Sequence, residues 1–368
     1  MHLYFHVPFC ARRCSYCDFA IAVRREVPSA AYAAAVEREW AGWQEHPAWA
    51  GAPVVDTVYF GGGTPSRLDP GHLARLLARV RADRPIAPAA EITLEANPDD
   101  VSARAAEGWR AAGVTRVSLG AQSFSPAALG WMHRTHDAGQ IGAAVVTLRA
   151  AGFRDVSLDL IYALPGALDR DWAADLDRAL ALEPTHLSLY GLTIEPRTPL
   201  GRWSARGESL PAPDERAAAE YLEAHERLVG CGFEHYEVSN AARAGFRARH
   251  NSAYWCRAPF IGLGPSAHSC LGATRSWNVR EWEDYRRRSE AGAPVVAESE
   301  TLTAPQIELE DLYLGLRTDL GLADSRVAEP ARGAWLSQGW AALRGGRLVL
   351  TPEGWLRLDA LVASLTHY

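Results

Sequence analysis

His6-Val7-Pro8-Phe9-Cys10-Ala11-Arg12-Arg13-Cys14-Ser15-Tyr16-Cys17-Asp18-Phe19 sets three cysteines in a Cys-x3-Cys-x2-Cys run. Three thiolates can hold three irons of a 4Fe–4S cube and leave the fourth iron open for a ligand, whereas a four-cysteine cluster mainly carries electrons. Zinc is the alternative. Structural zinc takes four ligands, usually as two short-spaced pairs. Here the next cysteine is Cys231, and His2 and His6 fall in a strand-like stretch. Buried, unpaired thiols are a third reading. All three stay open on spacing alone.

Outward from that run, short β-like stretches alternate with longer helical ones. Strands are expected at Leu3–Val7, Thr57–Phe60, Ile92–Glu95, Arg116–Leu119, Val156–Ile161 and His186–Tyr190. Helices are expected at Ala30–Trp43, His72–Arg81, Ala103–Ala111, Ile141–Ala150, Trp172–Leu182 and Asp214–Leu228. Gly113 and Gly152 stand where left-handed C-cap residues belong. The alternation predicts parallel βα units. Six of them before residue 191 suggest a partial barrel more than a closed eight-fold one, with a doubly wound sheet as the competing architecture.

In either architecture, sites form at the C-terminal ends of the strands. The first strand runs into the cysteines. The second runs into Gly61-Gly62-Gly63-Thr64-Pro65, where missing Cβ atoms let backbone amides approach a ligand. The third ends in Glu95-Ala96-Asn97-Pro98, the fourth precedes Gly120-Ala121-Gln122-Ser123, and the fifth carries Asp159 between Leu158 and Leu160. A carboxylate in such an apolar run is costly unless paired, and Arg134 is its expected partner.

Composition narrows the function. The chain has 368 residues, 48% of them apolar, and a net charge of −6. All 38 cationic side chains are arginine, which excludes a lysine Schiff base and a P-loop lysine. The acidic balance gives no support to nucleic-acid binding. No apolar run reaches transmembrane length, no signal peptide is evident, and six cysteines fit reduced thiols better than a disulfide framework. A soluble cytoplasmic protein is expected. Three regions are expected: a barrel over 1–232, a connecting region over 233–300, and a winged-helix-like α+β module over 301–368. The last holds a Gly345-Gly346 turn, a Leu348–Leu350 strand and a helix from Glu353. Its eight acids against six arginines suit a lid or docking module rather than a DNA reader.

The cysteine run, GGGTPS, the Glu95 strand, GAQSF, DLIYALPG, SLYGLTIEPRTPL, HNSAYW and FIGLGPSAHS together resemble the radical S-adenosylmethionine superfamily. More narrowly, they are similar to oxygen-independent coproporphyrinogen III oxidases and their haem-chaperone relatives. The resemblance implies an α/β fold built on a partial (β/α)6 barrel. It implies that Cys10, Cys14 and Cys17 hold a 4Fe–4S cluster whose open iron takes the amine and carboxylate of S-adenosylmethionine. Tyr4 and Tyr16 would flank that site, Gly62, Gly63 and Thr64 would meet the methionine end, and Glu95, Gln122, Arg134 and Asp159 would complete the pocket. Thr193 and His268 are further members of the implied set, and an electron donor of flavodoxin or ferredoxin type is implied with them.

Two departures from the oxidases point to the haem-chaperone group. The oxidases carry a fourth cysteine where this chain has Phe19, and a long arm where only nine residues precede Cys10. The expected function is to bind haem or a porphyrin and pass haem to haemoproteins. The alternative is radical oxidative decarboxylation of coproporphyrinogen III propionates to vinyls. Within HNSAYW, His250, Tyr254 and Trp255 are candidates for haem contact, imidazole being a good iron ligand. The other reading is a loop packed by aromatics around a hydrogen-bonded histidine. Cys231, Cys256 and Cys270 read as buried thiols, with Cys256 the one candidate haem thiolate.

Overall fold

The computed structural model describes residues 1–50 and 53–365. Six parallel strands pair in sequence order: β1 (His2–Val7), β2 (Val55–Gly62), β3 (Ile86–Ala96), β4 (Arg116–Gln122), β5 (Asp155–Tyr162) and β6 (His186–Gly191). Each of the six expected strands is present, as is each expected helix. Sequence-local signals start and stop those helices. Asp137 and Gln140 form a reciprocal capping box, Ser102 and Asp171 cap two more, and Gly113 ends its helix at φ 104°.

The pleat sorts the side chains. Residues of one parity face the helices: Phe5 stacks on Phe60 with ring centroids 4.6 Å apart, and Leu94, Val117, Leu158 and Leu187 continue that layer beneath Tyr32, Val36, Leu73, Trp109, Leu148 and Leu176. Residues of the other parity line the concave face and are polar: Tyr59, Thr93, Glu95, Ser118, Asp159 and Ser188. The sheet curls so that its polar face becomes a concave interior, and the cavity at its rim is lined from that face by Glu95, Ser118 and Asp159. That is the partial barrel.

The boundary expected at 232/233 is not a break in the sheet. Two short strands, β7 (Glu234–Glu237) and β8 (Asn240–Ala242), add antiparallel to the β6 edge. At the other edge β9 (Phe260–Leu263) pairs parallel with β1, and β10 (His268–Leu271), β11 (Thr274–Asn278) and β12 (Val296–Thr301) extend it antiparallel. The connecting region therefore forms both flanks of one sheet. Sequence alternation missed this because these strands are short and carry many polar residues.

The C-terminal region has its own core, in which Leu312, Leu316, Trp335, Leu348, Trp355 and Leu361 pack together. Its three short strands are Leu322–Ala323, Ala341–Arg344 and Arg347–Leu350, the last two joined at Gly345-Gly346, both with positive φ. Residues 366–368 of the expected module lie outside the described residues. Among the described residues no helix is long and apolar enough to cross a membrane.

Candidate functional site

The cysteines sit on an excursion that leaves β1 and is sewn down at both ends. Ala22 and Arg24 donate backbone N–H groups to the carbonyls of Pro8 and Cys10, at 2.7 and 2.9 Å. Inside the loop, Ser15 N–H donates to Met132 and Leu200 N–H donates to Ser15, tying the cysteines to two other parts of the barrel rim. The side chain of Tyr16 packs with Leu129, Met132 and Ile161. The loop is held by rigid neighbours, as a cofactor cage requires.

Cys10, Cys14 and Cys17 line one cavity of about 470 Å³ at the C-terminal ends of β1–β6. The glycine turn after β2 closes against them. A Cβ on Gly63 would stand 2.7 Å from the Pro8 carbonyl group and 3.0 Å from the sulfur of Cys10, so only glycine fits there. Two donors reach the sulfurs: Thr64 Oγ1 lies 3.3 Å from Cys10 Sγ, and Arg134 Nη1 lies 3.7 Å from Cys14 Sγ. Burial pushes the thiol of Cys10 up and that of Cys17 up to about 12, so the thiolates need a cationic partner among them. Among the described residues no three His, Cys, Asp or Glu side chains are grouped as ligands of a single ion. Three rim thiols around an open cavity suit the body of an iron–sulfur cube.

Tyr16, Gly62, Gly63, Thr64, Glu95, Gln122, Arg134, Asp159 and Thr193 all line this same cavity. Glu95 accepts from Tyr59 Oη at 2.8 Å and from the Gly62 N–H at 3.1 Å, which fixes the glycine turn and leaves further lone pairs toward the cavity. Burial raises its carboxyl to about 7 against the pull of those two donors. Gln122 sits where the β4–β5 register breaks, at φ 65°, and this irregularity turns its side chain to the cavity. Ser118, Asn97 and Tyr190 belong to the wall as well, and the sequence reading passed over all three. Asn97 had a legible signal, a polar residue between a strand end and a proline.

Three expectations need correction. Arg134 does not pair with Asp159: its guanidinium donates to Asn97 Oδ1 at 2.5 Å and to the Gly120 carbonyl at 2.8 Å. Asp159 accepts instead from the Ser118 hydroxyl at 3.0 Å, with Ser188 as a second donor. Tyr4 and His268 do not line the cysteine cavity. They line a neighbouring one of about 770 Å³, on the β1–β9–β10 side, which shares only Asp18 and Phe19 with it.

His250, the third, is buried, and both its ring nitrogens are engaged, with Thr57 Oγ1 at 2.6 Å and Tyr254 Oη at 2.7 Å. Its ring stacks on Tyr59 with centroids 5.0 Å apart, and burial lowers its pKa to about 3. The helix Arg249–Trp255 is docked by the carboxylate of Glu91, which accepts the N–H groups of Arg249 and His250 at 2.8 and 3.0 Å. His250 thus plugs the barrel at the strand starts and has no nitrogen free for iron. Tyr254 and Trp255 do face the second cavity. Of the three cysteines expected to be buried, only Cys270 is; Cys231 and Cys256 lie just past helix ends and are exposed.

Residues 4–179 match the radical SAM superfamily. The chain is 41% identical to the heme chaperone HemW of Mycobacterium tuberculosis over 99% of its own length and 94% of that protein. It is 34% identical to the heme chaperone HemW of Bacillus subtilis, over 89% of this chain and 86% of the relative. Among solved structures it resembles coproporphyrinogen III oxidase HemN of Escherichia coli, with a TM-score of 0.80, 22% identity, and coverage of 100% and 90% of the two chains. That last likeness is one of fold.

Proposed function

The chain belongs to the HemW family of the radical S-adenosylmethionine superfamily, and on that premise we propose that it binds haem and delivers it to haemoproteins. The observation that carries the reading is the similarity to relatives named as heme chaperones along essentially the whole chain, cysteine rim and C-terminal module included. Membership implies a 4Fe–4S cluster and S-adenosylmethionine. Bound together, they supply one-electron reduction of a sulfonium.

The chain's own residues suit that pair. Cys10, Cys14 and Cys17 are the thiolates offered to iron, and Thr64 and Arg134 are placed to stabilise their charge. Gly62 and Gly63 thin the wall beside Cys10 to bare backbone. Glu95, Gln122, Asp159 and Thr193 put polar groups around the cavity, where ribose hydroxyls and an amino acid end need acceptors and donors. Tyr16 covers the apolar side. All six cysteines are free thiols, which suits work in the reducing cytoplasm with a flavodoxin- or ferredoxin-type electron donor.

Anaerobic reconstitution followed by haem titration tests the reading. Stoichiometric haem uptake and transfer to an apo-haemoprotein are expected. Absence of uptake, or conversion of coproporphyrinogen III to its divinyl product when a reductant is added, would overturn it.

A further inference from the structure

The second cavity is larger than the cysteine cavity and different in kind. Its walls carry the rings of Tyr254, Trp255, Trp277 and His268, and arginines stand at its edge. About 770 Å³ lies within the range of sites that enclose extended organic ligands. Gly262 allows the wall to form: a Cβ there would stand 2.1 Å from the His268 carbonyl oxygen, so only glycine lets β10 lie this close to β9.

His268 differs from the other histidines nearby. His6 and His250 have both ring nitrogens engaged. His268 lies against Trp277, with centroids 5.7 Å apart and planes 28° apart, and among the described residues no hydrogen bond holds either nitrogen. Partial burial lowers its pKa, which favours the neutral imidazole, the form that binds a metal. Arg280 differs from its neighbours in the same way. Arg275 pairs with Glu300 and Glu310, and Arg257 with Glu310 and Asp311. Arg280 donates only to the Asp18 carbonyl, at 2.8 Å, and among the described residues no carboxylate lies within ion-pair distance. A guanidinium left without an acid beside an aromatic cavity is suited to bidentate capture of a carboxylate.

We propose that this cavity is the tetrapyrrole site: an iron porphyrin lies against Trp277 and the Tyr254–Trp255 turn, with His268 on its iron and Arg280 on a propionate. This deepens the haem reading and rests on it. The alternative ligand within the same wall is the thiol of Cys270. The site adjoins the cysteine cavity across Asp18 and Phe19, so cargo and cluster would share one partition.

The test uses the full chain with ferric haem, read by absorption, and iron-free protoporphyrin IX, read by fluorescence. His268→Ala is expected to shift the Soret band and weaken haem binding at least about tenfold, while iron-free binding is kept. Arg280→Gln is expected to weaken both ligands about tenfold with no band shift. An unchanged band and affinity in His268→Ala would overturn the assignment and leave the haem reading standing. So would a thiolate-type band abolished by Cys270→Ser. Loss of both ligands in His268→Ala would show a collapsed cavity rather than a lost ligand, and would also overturn it. If the unmodified chain takes up no haem, the functional reading fails and this one with it.

Discussion

Replacing His250 by alanine separates a structural plug from a haem ligand. The substitution removes hydrogen bonds of 2.6 Å to Thr57 and 2.7 Å to Tyr254. Thr57 keeps a partner in His2 at 2.9 Å, and the Tyr254 hydroxyl lies beside a cavity that water can enter, so each loss sits near the low end, about 1 kcal/mol. The vacated space between the Tyr59 and Tyr254 rings adds a comparable cavity penalty. The total is about 3 kcal/mol. Urea denaturation reads it as a fall in midpoint of roughly 1–3 M at unchanged slope. Haem affinity, measured below the transition, is expected to change by no more than about threefold, through the loosened Tyr254. A variant with an unchanged midpoint and a lost Soret band would refute this reasoning and restore His250 as a ligand.

Three further outcomes follow from the same geometry. Gly63→Ala drives a Cβ into the Pro8 carbonyl and Cys10 sulfur, and overpacking of this kind costs about 1–3 kcal/mol, so iron and sulfide per chain after reconstitution are expected to fall while helicity is kept; full iron content would refute it. His250 has a folded pKa near 3 against an unfolded value near 6.5, so its contribution to stability is complete above pH 6.5 and is lost as pH falls toward 3; His250→Gln is expected to flatten that slope by up to about 1.4 kcal/mol per pH unit, and an unaltered slope in denaturation series would contradict the buried neutral ring. Glu95, raised to about 7, gains acceptor strength as it ionises, so S-adenosylmethionine binding by calorimetry is expected to tighten from pH 6 to 8 and to lose this dependence in Glu95→Gln; a flat profile in the unmodified protein would count against the role.

What was legible in the sequence was whatever one element carries alone. The barrel strands announced themselves because their helix-facing residues (Phe5, Phe60, Leu94, Leu158) are apolar and their ends carry unusual residues. The cysteine rim was legible for the same reason, since each strand delivers its polar residue to a common end. Pairings across elements were not legible. Arg134 could have met Asp159 on sequence grounds, yet Asn97 and Gly120 lie closer to its guanidinium, and Ser118, across the ladder from Asp159, meets the carboxylate. HNSAYW misled because a histidine among aromatics reads the same as a ligand or a plug. Only the Glu91 carboxylate, more than 150 residues earlier, decides between them by drawing the helix start into the barrel.

The residue after Cys17-Asp18 gains a physical meaning from this arrangement. A cysteine at position 19 would add a thiol beside the cluster loop. Phe19 instead exposes 58% of its surface and forms part of the wall of both cavities. A phenyl ring binds no metal and offers no hydrogen bond, so what it contributes between the two spaces is apolar surface. That surface suits the face of a macrocycle on one side and excludes water from the cysteines on the other. Position 19 thus falls at the contact between the cysteine cavity and the proposed cargo site, where an apolar side chain can touch both.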